Sequence, residues 1–311
     1  MPRTGCSNRI GLVVRVLFCA VLLHQTACSP VVFTVANVPT HFDDATVVRD
    51  LAYGPLPSQT LDLYLPAGST DRPRDVVVFF YGGRWSSGDK DQYRFVGTTF
   101  ASKGYIVVIP DYRKYPDVRF PAFVEDGAKA LAWVHDHIGE SQGNPERVHI
   151  VGHSAGAHIG ALLTADARYL AQEGKSRSLV VRDFVGLAGP YAFTPTDPDL
   201  VEMFGPPENY PTMQVTTFID GTQPPMLLLY GDDDTVVKRY NLDKLEARIA
   251  ERGGCVRSII YPSVSHSGLL RALSWLSLNS APVVDDITAF FHACGGALSL
   301  RLAPPWTMTN S

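Results

Sequence analysis

The chain has 311 residues, of which 45% are hydrophobic and 19% are charged, and its net charge is −4 at pH 7. This length and hydrophobic content are sufficient for the core of one large α/β domain. The sequence contains no basic stripe or Lys/Arg block, which argues against nucleic acid as a partner.

Residues 1–27 have the pattern of a secretory signal. Arg3, Arg9 and Arg15 precede or flank an apolar run over residues 16–23, and no acidic residue occurs before Asp43. A basic segment followed by so short an apolar run is typical of a signal peptide and cannot span a bilayer. We therefore expect an exported protein, located in the periplasm or at the outer membrane of a bacterium.

The end of this segment, Gln-Thr-Ala-Cys-Ser over residues 25–29, resembles a bacterial lipobox. In that motif small residues precede a cysteine that becomes the lipidated N-terminus of the mature protein. Gln25 departs from the motif, which favours leucine at this position. We predict lipidation at Cys28 and attachment to a membrane through that anchor. Ordinary signal-peptidase cleavage nearby and an uncleaved anchor are the alternatives.

The rest of the chain alternates predicted strands and helices. Two half-exposed strands with alternating polarity come first, followed by near-continuous apolar runs that are typical of strands covered on both faces. The predicted strands span residues 46–53, 60–65, 76–81, 105–109, 148–151, 181–187, 226–230 and 256–261. The predicted helices span residues 93–103, 121–138, 157–167, 241–252 and 283–293. This alternation predicts an α/β fold with a mostly parallel eight-stranded sheet and helices on both faces.

Within this fold we expect a mature N-terminal segment over residues 28–45, a main domain over 46–296 and a C-terminal tail over 297–311. Residues 190–225 interrupt the alternation, because they contain eight prolines and several aromatic residues without a long periodic element. We interpret this interval as a small cap over the carboxyl edge of the sheet. A solvated connection is the alternative.

Two glycines directly follow the third predicted strand, in the motif Tyr-Gly-Gly-Arg-Trp over residues 81–85. Glycines at Gly82 and Gly83 allow the backbone to approach a substrate closely and to turn N–H groups toward a negatively charged oxygen. Together with the N–H of Ala155 they predict an oxyanion hole. A plain glycine turn after a strand is the alternative.

The motif Gly-His-Ser-Ala-Gly over residues 152–156 lies between a predicted strand and a predicted helix. This order describes a nucleophile elbow, in which a strained turn exposes the serine hydroxyl above the sheet. Alone the motif is weak, since about 0.1 copies are expected by chance in a chain of this length at a glycine frequency of about 7%. The surrounding motifs make Ser154 the candidate nucleophile.

An acid for this serine is expected in Gly-Asp-Asp-Asp-Thr-Val-Val over residues 231–237, directly after a buried strand. Carboxyl ends of parallel strands meet at the edge where the elbow lies, so a carboxylate here can reach the site. Asp234 resembles the triad acid best, because hydrolases commonly have Gly-x-x-Asp-x-x-Val at this point. Asp232 and Asp233 are less favoured candidates, interpreted as turn residues.

The candidate base is His266, in a small polar loop after the next strand. The chain order of Ser154, Asp234 and His266 agrees with the order in which hydrolases of this topology carry their triads. The other histidines are assigned to the elbow, to its helix, or to helix and strand surfaces: His153, His158, His135, His137 and His149.

Two cysteines remain in the folded body, Cys255 before a strand and Cys294 at the end of the last helix. A returning helix brings both to the same edge of the sheet, so a disulfide is geometrically reasonable in an oxidising compartment. Two small buried hydrophobic residues are the alternative. No two His or Cys residues have metal-ligand spacing with a third nearby, so we predict no metal and no cofactor.

Taken together, these motifs resemble a serine esterase of the α/β-hydrolase superfamily, in the branch with an HGG-x-W oxyanion loop. That branch includes bacterial carboxylesterases, feruloyl- and acetyl-esterase-like enzymes, kynurenine formamidase and isoprenylcysteine methylesterases. The matching stretches are residues 81–85, 111–113, 120–122 with 125–126, 147–156, 224–237 and 266.

The resemblance implies an α/β-hydrolase fold that cleaves small-molecule carboxylic esters through an acyl-enzyme, with Ser154 as nucleophile, His266 as base and Asp234 as acid. It also implies that Gly83, Arg84 and Ala155 donate their N–H groups to the oxyanion. Tyr81 departs from the family by replacing the histidine of the motif, which usually braces the loop. Arg84 replaces a glycine or another residue, and its side chain is expected either at the pocket entrance or in solvent. Formamide or amide hydrolysis by the same triad is the first alternative function. A non-catalytic envelope binding module is the second.

Overall fold

The computed structural model describes residues 30–275 and 281–296 of the chain. The predicted signal, Cys28 and the C-terminal tail lie outside these ranges. Within them, no helix combines the length and the apolar character needed to cross a membrane.

In the described ranges eight strands form one sheet, as predicted, and their order across the sheet is β1-β2-β4-β3-β5-β6-β7-β8. β1 pairs with β2, and β2 with β4, in the antiparallel direction, whereas all other pairs are parallel. The strands are β1 Thr46–Ala52, β2 Thr60–Leu65, β3 Arg74–Phe80, β4 Ile106–Pro110, β5 Gly143–His153, β6 Asp183–Leu187, β7 Met226–Gly231 and β8 Val256–Tyr261. The predicted α/β-hydrolase fold is therefore confirmed.

Helices cover both faces of this sheet. The described helices are α1 Pro30–Asn37, α2 Arg94–Ser102, α3 Ala122–His137, α4 Ala155–Ala165, α5 Ala167–Gln172, α6 Arg177–Val180, α7 Pro198–Phe204, α8 Tyr210–Met213, α9 Tyr240–Glu251, α10 His266–Arg271 and α11 Val283–Gly296. Neighbouring residues of β5 show the two layers, because successive side chains of a strand point to opposite faces. Ile150 lies against Gly160 of α4, whereas the ring of His149 stacks on Phe291 of α11 at 4.0 Å.

His149 is buried, so its assignment to a strand surface is wrong. Its Nδ1 lies 2.8 Å from the carboxylate of Asp183 on the neighbouring strand β6, and Asp75 lies 3.5 Å from its Nε2. Burial opposes a charge here, but the two carboxylates outweigh it and raise the pKa of His149. His149 is buried because α11 covers this face of the sheet, and its pairing with Asp183 satisfies its ring in the core.

The interval over residues 190–225 folds into short helices beside the carboxyl edge of the sheet. Besides α7 and α8 it contains the 3-10 turns Pro207–Asn209 and Val215–Phe218. The Nε2–H of His158, one turn into α4, donates to the carbonyl oxygen of Met213 at 2.7 Å. The segment is therefore fixed to α4, and we call residues 190–225 the cap.

Cys255 is exposed and forms no disulfide within the described residues. The side chain of Cys294 lies outside those that the structure describes, so the Cys255–Cys294 disulfide stays a prediction.

Candidate active site

Ser154 occupies the strained turn between β5 and α4. Its backbone has φ 55° and ψ −121°, a conformation that L-residues adopt only where the surroundings enforce it. The Ser154 N–H donates to the carbonyl of Leu187 at 2.9 Å, which holds the turn against β6. A Cβ at Gly156 would overlap the carbonyl oxygen of Phe80, so the turn tolerates only glycine there. These contacts explain the small residues that the motif requires.

Asp234 and His266 form a hydrogen-bonded pair. Nδ1 of His266 lies 2.7 Å from Oδ2 of Asp234, whose side chain is fully buried. The other carboxylate oxygen accepts the N–H groups of Val236 at 2.8 Å and Val237 at 2.9 Å. An aspartate held in this way orients the imidazole, with Nδ1 as donor and Nε2 left as the acceptor.

The two neighbouring aspartates, Asp232 and Asp233, are exposed in the turn, and among the hydrogen bonds of the described residues only Asp234 pairs with the His266 ring. His266 itself is not in an irregular loop as expected, because it is the first residue of the short helix α10. The side chain of Ser265 caps that helix by accepting the N–H of Gly268 at 3.2 Å. A capped helix terminus fixes the imidazole more firmly than a mobile loop would.

Ser154 and His266 line one cavity of about 210 Å³, together with Gly82, Gly83 and Arg84 of the oxyanion loop. Among the described residues, no hydrogen bond joins the Ser154 hydroxyl to the His266 ring. Such contacts commonly tighten only when substrate is bound. The structure therefore brings the serine, the histidine–aspartate pair and the two glycines to one cavity.

His153 is a positioning residue that the sequence analysis left without a role. It is buried, its Nε2–H donates to the backbone carbonyl of His266 at 3.1 Å, and the two rings lie 4.8 Å apart. Burial lowers the pKa of His153 to about 3, so the ring is neutral at neutral pH. It supports the base through the backbone and adds no charge beside it.

The loop over residues 81–85, the candidate oxyanion loop, has an unusual backbone conformation. Arg84 and Trp85 both have positive φ, at 54° and 56°. A Cβ placed on Gly82 would lie 3.1 Å from the Cβ of Ser154, which shows how closely the loop approaches the elbow. In the described part of the chain, the N–H groups of Gly83, Arg84 and Ala155 donate no backbone hydrogen bond. They are available to a negatively charged oxygen.

Tyr81, which replaces the family histidine, braces this loop through its ring. The ring stacks between Tyr93 at 5.0 Å and Tyr112 at 4.8 Å, and its hydroxyl donates to the carboxylate of Asp111. The Tyr112 hydroxyl in turn donates to the carbonyl oxygen of Tyr81 at 2.9 Å. Burial raises the pKa of Tyr81, so the phenol stays protonated as a donor.

The side chain of Arg84 is half exposed and forms ion pairs with the cap. Its guanidinium donates to Asp199 at 2.9 and 3.1 Å and to Asp197 at 2.7 Å. Both aspartates lie at the start of α7. Arg84 is therefore paired rather than solvated, a contact that joins the oxyanion loop to the cap.

A second cavity of about 180 Å³ is lined by Ser154 and Ala155 and shares Arg84, Ser154 and Val236 with the first. Its walls come from Trp85, from the cap residues Phe193 and Leu200, and from the segment after Asp234. Trp85 is buried, and its ring stacks on Phe193 at 5.5 Å. Within residues 30–275 and 281–296, no group of three or more His, Cys, Asp or Glu side chains could hold a metal ion.

Residues 61–249, more than half of the chain, match the model of the BD-FAE family. The probable isoprenylcysteine alpha-carbonyl methylesterase ICMEL1 of Arabidopsis thaliana is 27% identical over 257 residues, which are 74% of this chain and 52% of that protein. Esterase LipC of Mycobacterium tuberculosis is 28% identical over 61% of this chain and 51% of its own length. This chain thus spans about half the length of both relatives.

A solved structure with the same fold is esterase B from Lactobacillus rhamnosis (HN001). It superposes with a TM-score of 0.69 and 22% identity, over 81% of this chain and 86% of that chain. At this identity the likeness shows the fold.

Proposed function

We propose, because this chain belongs to the BD-FAE family of α/β-hydrolases, that it hydrolyses small carboxylic esters through an acyl-enzyme formed on Ser154. The observation that carries this proposal is the His266–Asp234 pair, whose imidazole borders the same cavity as the strained serine. The two relatives described above are a probable methylesterase and an esterase, which favours esters over amides as substrates.

In the proposed reaction, Nε2 of His266 accepts the hydroxyl proton as Ser154 Oγ attacks the ester carbonyl carbon. Asp234 stabilises the imidazolium that forms, and the N–H groups of Gly83, Arg84 and Ala155 stabilise the oxyanion. His266 then returns the proton to the leaving alcohol, which departs as the C–O bond breaks. Water, deprotonated by the same imidazole, hydrolyses the acyl-enzyme and regenerates Ser154.

The experiment compares the wild type with Ser154→Ala on p-nitrophenyl esters and on N-formylkynurenine. Ser178→Ala is the matched control, because Ser178 is exposed on α6, far along the chain from the elbow. We expect Ser154→Ala to lower turnover by about 10⁶ and the control to keep wild-type rates.

A loss smaller than about 10³-fold would contradict the role of Ser154, because removal of a triad nucleophile typically costs about 10⁶ in turnover. If the enzyme hydrolysed N-formylkynurenine but none of the esters, the proposal would give way to formamide or amide hydrolysis. A fluorophosphonate that fails to label Ser154 in the folded protein would favour the non-catalytic binding module.

We further propose that the protein is exported and anchored to a membrane by a lipid on Cys28. The support is the basic and apolar leader and the lipobox-like residues 25–29. Expressed with its own leader in a bacterium, the wild type is expected in the membrane fraction and Cys28→Ser in the soluble fraction. Cys255→Ser is the control, because this exposed thiol lies in the folded body. An unchanged distribution of Cys28→Ser would contradict the anchor.

A further inference from the structure

Two cavities lie beside Ser154, and the position of His266 indicates which part of an ester each can hold. His266 borders the cavity of about 210 Å³, but it does not border the cavity of about 180 Å³. The leaving oxygen must receive a proton from His266, so the alcohol has to lie on the side of that ring. The acyl group then lies in the smaller cavity, which we call the acyl cavity. This assignment rests on the function proposed above.

The cap provides one wall of the acyl cavity through α7. Leu200, on α7, borders the cavity and is 9% exposed. Its chain neighbour Asp199 receives both hydrogen bonds of the Arg84 fork, and Asp197 receives a third. We call these three charged residues the Arg84 clamp. The clamp fixes the start of α7, and with it Leu200, to the loop that carries the oxyanion donors.

The clamp is suited to fixing the width of the acyl cavity rather than to stabilising the fold. Its side chains are half exposed, at 47% for Arg84, 55% for Asp197 and 43% for Asp199. Exposed ion pairs contribute little to stability, but a planar guanidinium that binds a carboxylate through two bonds fixes its position and direction. α7 is also held further along by Glu202, which accepts hydrogen bonds from Tyr115 and Arg119. Loss of the clamp therefore frees the Leu200 end of α7 without detaching the helix.

We propose that Arg84 is a specificity-determining residue that limits the substrate to short acyl groups. Its side chain acts through Asp197 and Asp199 to keep Leu200 in place as a wall of the acyl cavity. The cavity is smaller than the 300 to 1,000 Å³ common for drug-sized ligands, so a small displacement of this wall changes which acyl chains fit. The backbone N–H of the same residue serves the oxyanion, which couples acyl fit to the catalytic loop.

The test is the dependence of kcat/KM on acyl length, from p-nitrophenyl acetate to decanoate. It compares the wild type, the double variant Asp197→Asn/Asp199→Asn, Leu200→Ala, and the control Glu251→Gln. Glu251 forms an exposed ion pair with Arg248 on α9 and borders neither cavity. The double variant removes both charges of the clamp and keeps the backbone of Arg84 intact.

We expect the wild type and the control to prefer short chains and to lose kcat/KM steeply as the chain lengthens. The double variant and Leu200→Ala should raise kcat/KM for long chains relative to acetate by about tenfold, the discrimination that one misfitting methylene can cause. The gain should appear mainly in KM. Wild type in about 1 M NaCl, where the screening length is about 3 Å, should shift in the same direction, and the double variant should not respond further.

A profile that moves in Leu200→Ala but not in the double variant would overturn the role of the clamp. A profile unmoved in both would overturn the assignment of the acyl cavity. Absence of hydrolysis of every ester by the wild type would instead overturn the proposed function, which is a distinguishable result.

Discussion

His158 should make the protein less stable in mild acid. Its Nε2–H is committed to the Met213 carbonyl, and its ring is buried against Trp85 and Phe204 at 5.2 and 5.9 Å. Among the described residues, its Nδ1 has no hydrogen-bond partner. A proton on Nδ1 would bury a charged N–H that nothing accepts, so burial lowers the pKa of His158 to about 4.

The sign of the effect follows from proton binding in the two states. In the unfolded chain His158 titrates near pH 6.5, so the unfolded state binds more protons between pH 6.5 and about 4. The contribution of the neutral ring to stability is complete above pH 6.5 and is lost as the pH falls through the folded pKa. At 1.36 kcal/mol per pH unit, the whole window corresponds to about 3 kcal/mol.

We choose the substitution His158→Gln, because a glutamine amide can still donate to the Met213 carbonyl but does not titrate. The assay is urea unfolding, followed by tryptophan fluorescence between pH 7.5 and 4. We expect the variant to be less stable at pH 7.5 and the difference from wild type to shrink by about 3 kcal/mol toward pH 4. Ser178→Ala is the control, since Ser178 is exposed on α6 and its hydroxyl does not titrate in this range. Equal acid slopes in wild type and His158→Gln would show that His158 does not cause the loss of stability in acid.

Three further substitutions test other parts of the site. Asp234→Asn should lower turnover about 10⁴-fold in steady-state assays, with an unchanged circular dichroism spectrum, because the amide disturbs the imidazole tautomer; a loss below tenfold would exclude Asp234 as the acid. Gly156→Ala should lower the unfolding free energy by about 2 kcal/mol or more, since its methyl group overlaps the Phe80 carbonyl, and a wild-type denaturation midpoint would contradict this. Tyr81→Phe should lower the free energy of unfolding by about 2 kcal/mol, because the Asp111 carboxylate loses the hydrogen bond that the Tyr81 hydroxyl donates. An unchanged Tm would show that ring stacking alone braces the loop.

The fold, and the place of the main candidate residues within it, could be predicted because their signals are local. Each candidate follows a buried apolar strand, and the carboxyl ends of parallel strands meet at one edge. The positions of Ser154, Asp234 and His266 follow from that rule. The helical start at His266 was missed because α10 has only six residues, too few to show a helical period.

Other features depend on partners that are distant in sequence. His149 is buried because Asp183 and α11 meet it from elsewhere in the chain, and no local pattern reports a covered face. The contact of His153 with His266 joins residues 113 positions apart, and Arg84 finds its aspartates equally far away. Such contacts arise from tertiary packing, which leaves no trace in the local hydrophobic periodicity of the sequence.

The central position of β5, the strand that ends at Ser154, has a consequence for folding. β5 pairs with β3 on one side and β6 on the other, and Val78 lies opposite Ile150 in a parallel register. Parallel pairs of this kind close long loops before their contacts form, which makes them slow to assemble. The turn at Ser154 cannot become strained until both neighbours are in place, since Leu187 of β6 and Phe80 of β3 enforce it. If the proposed ester hydrolysis holds, its return after dilution from denaturant will therefore report when the centre of the sheet has formed.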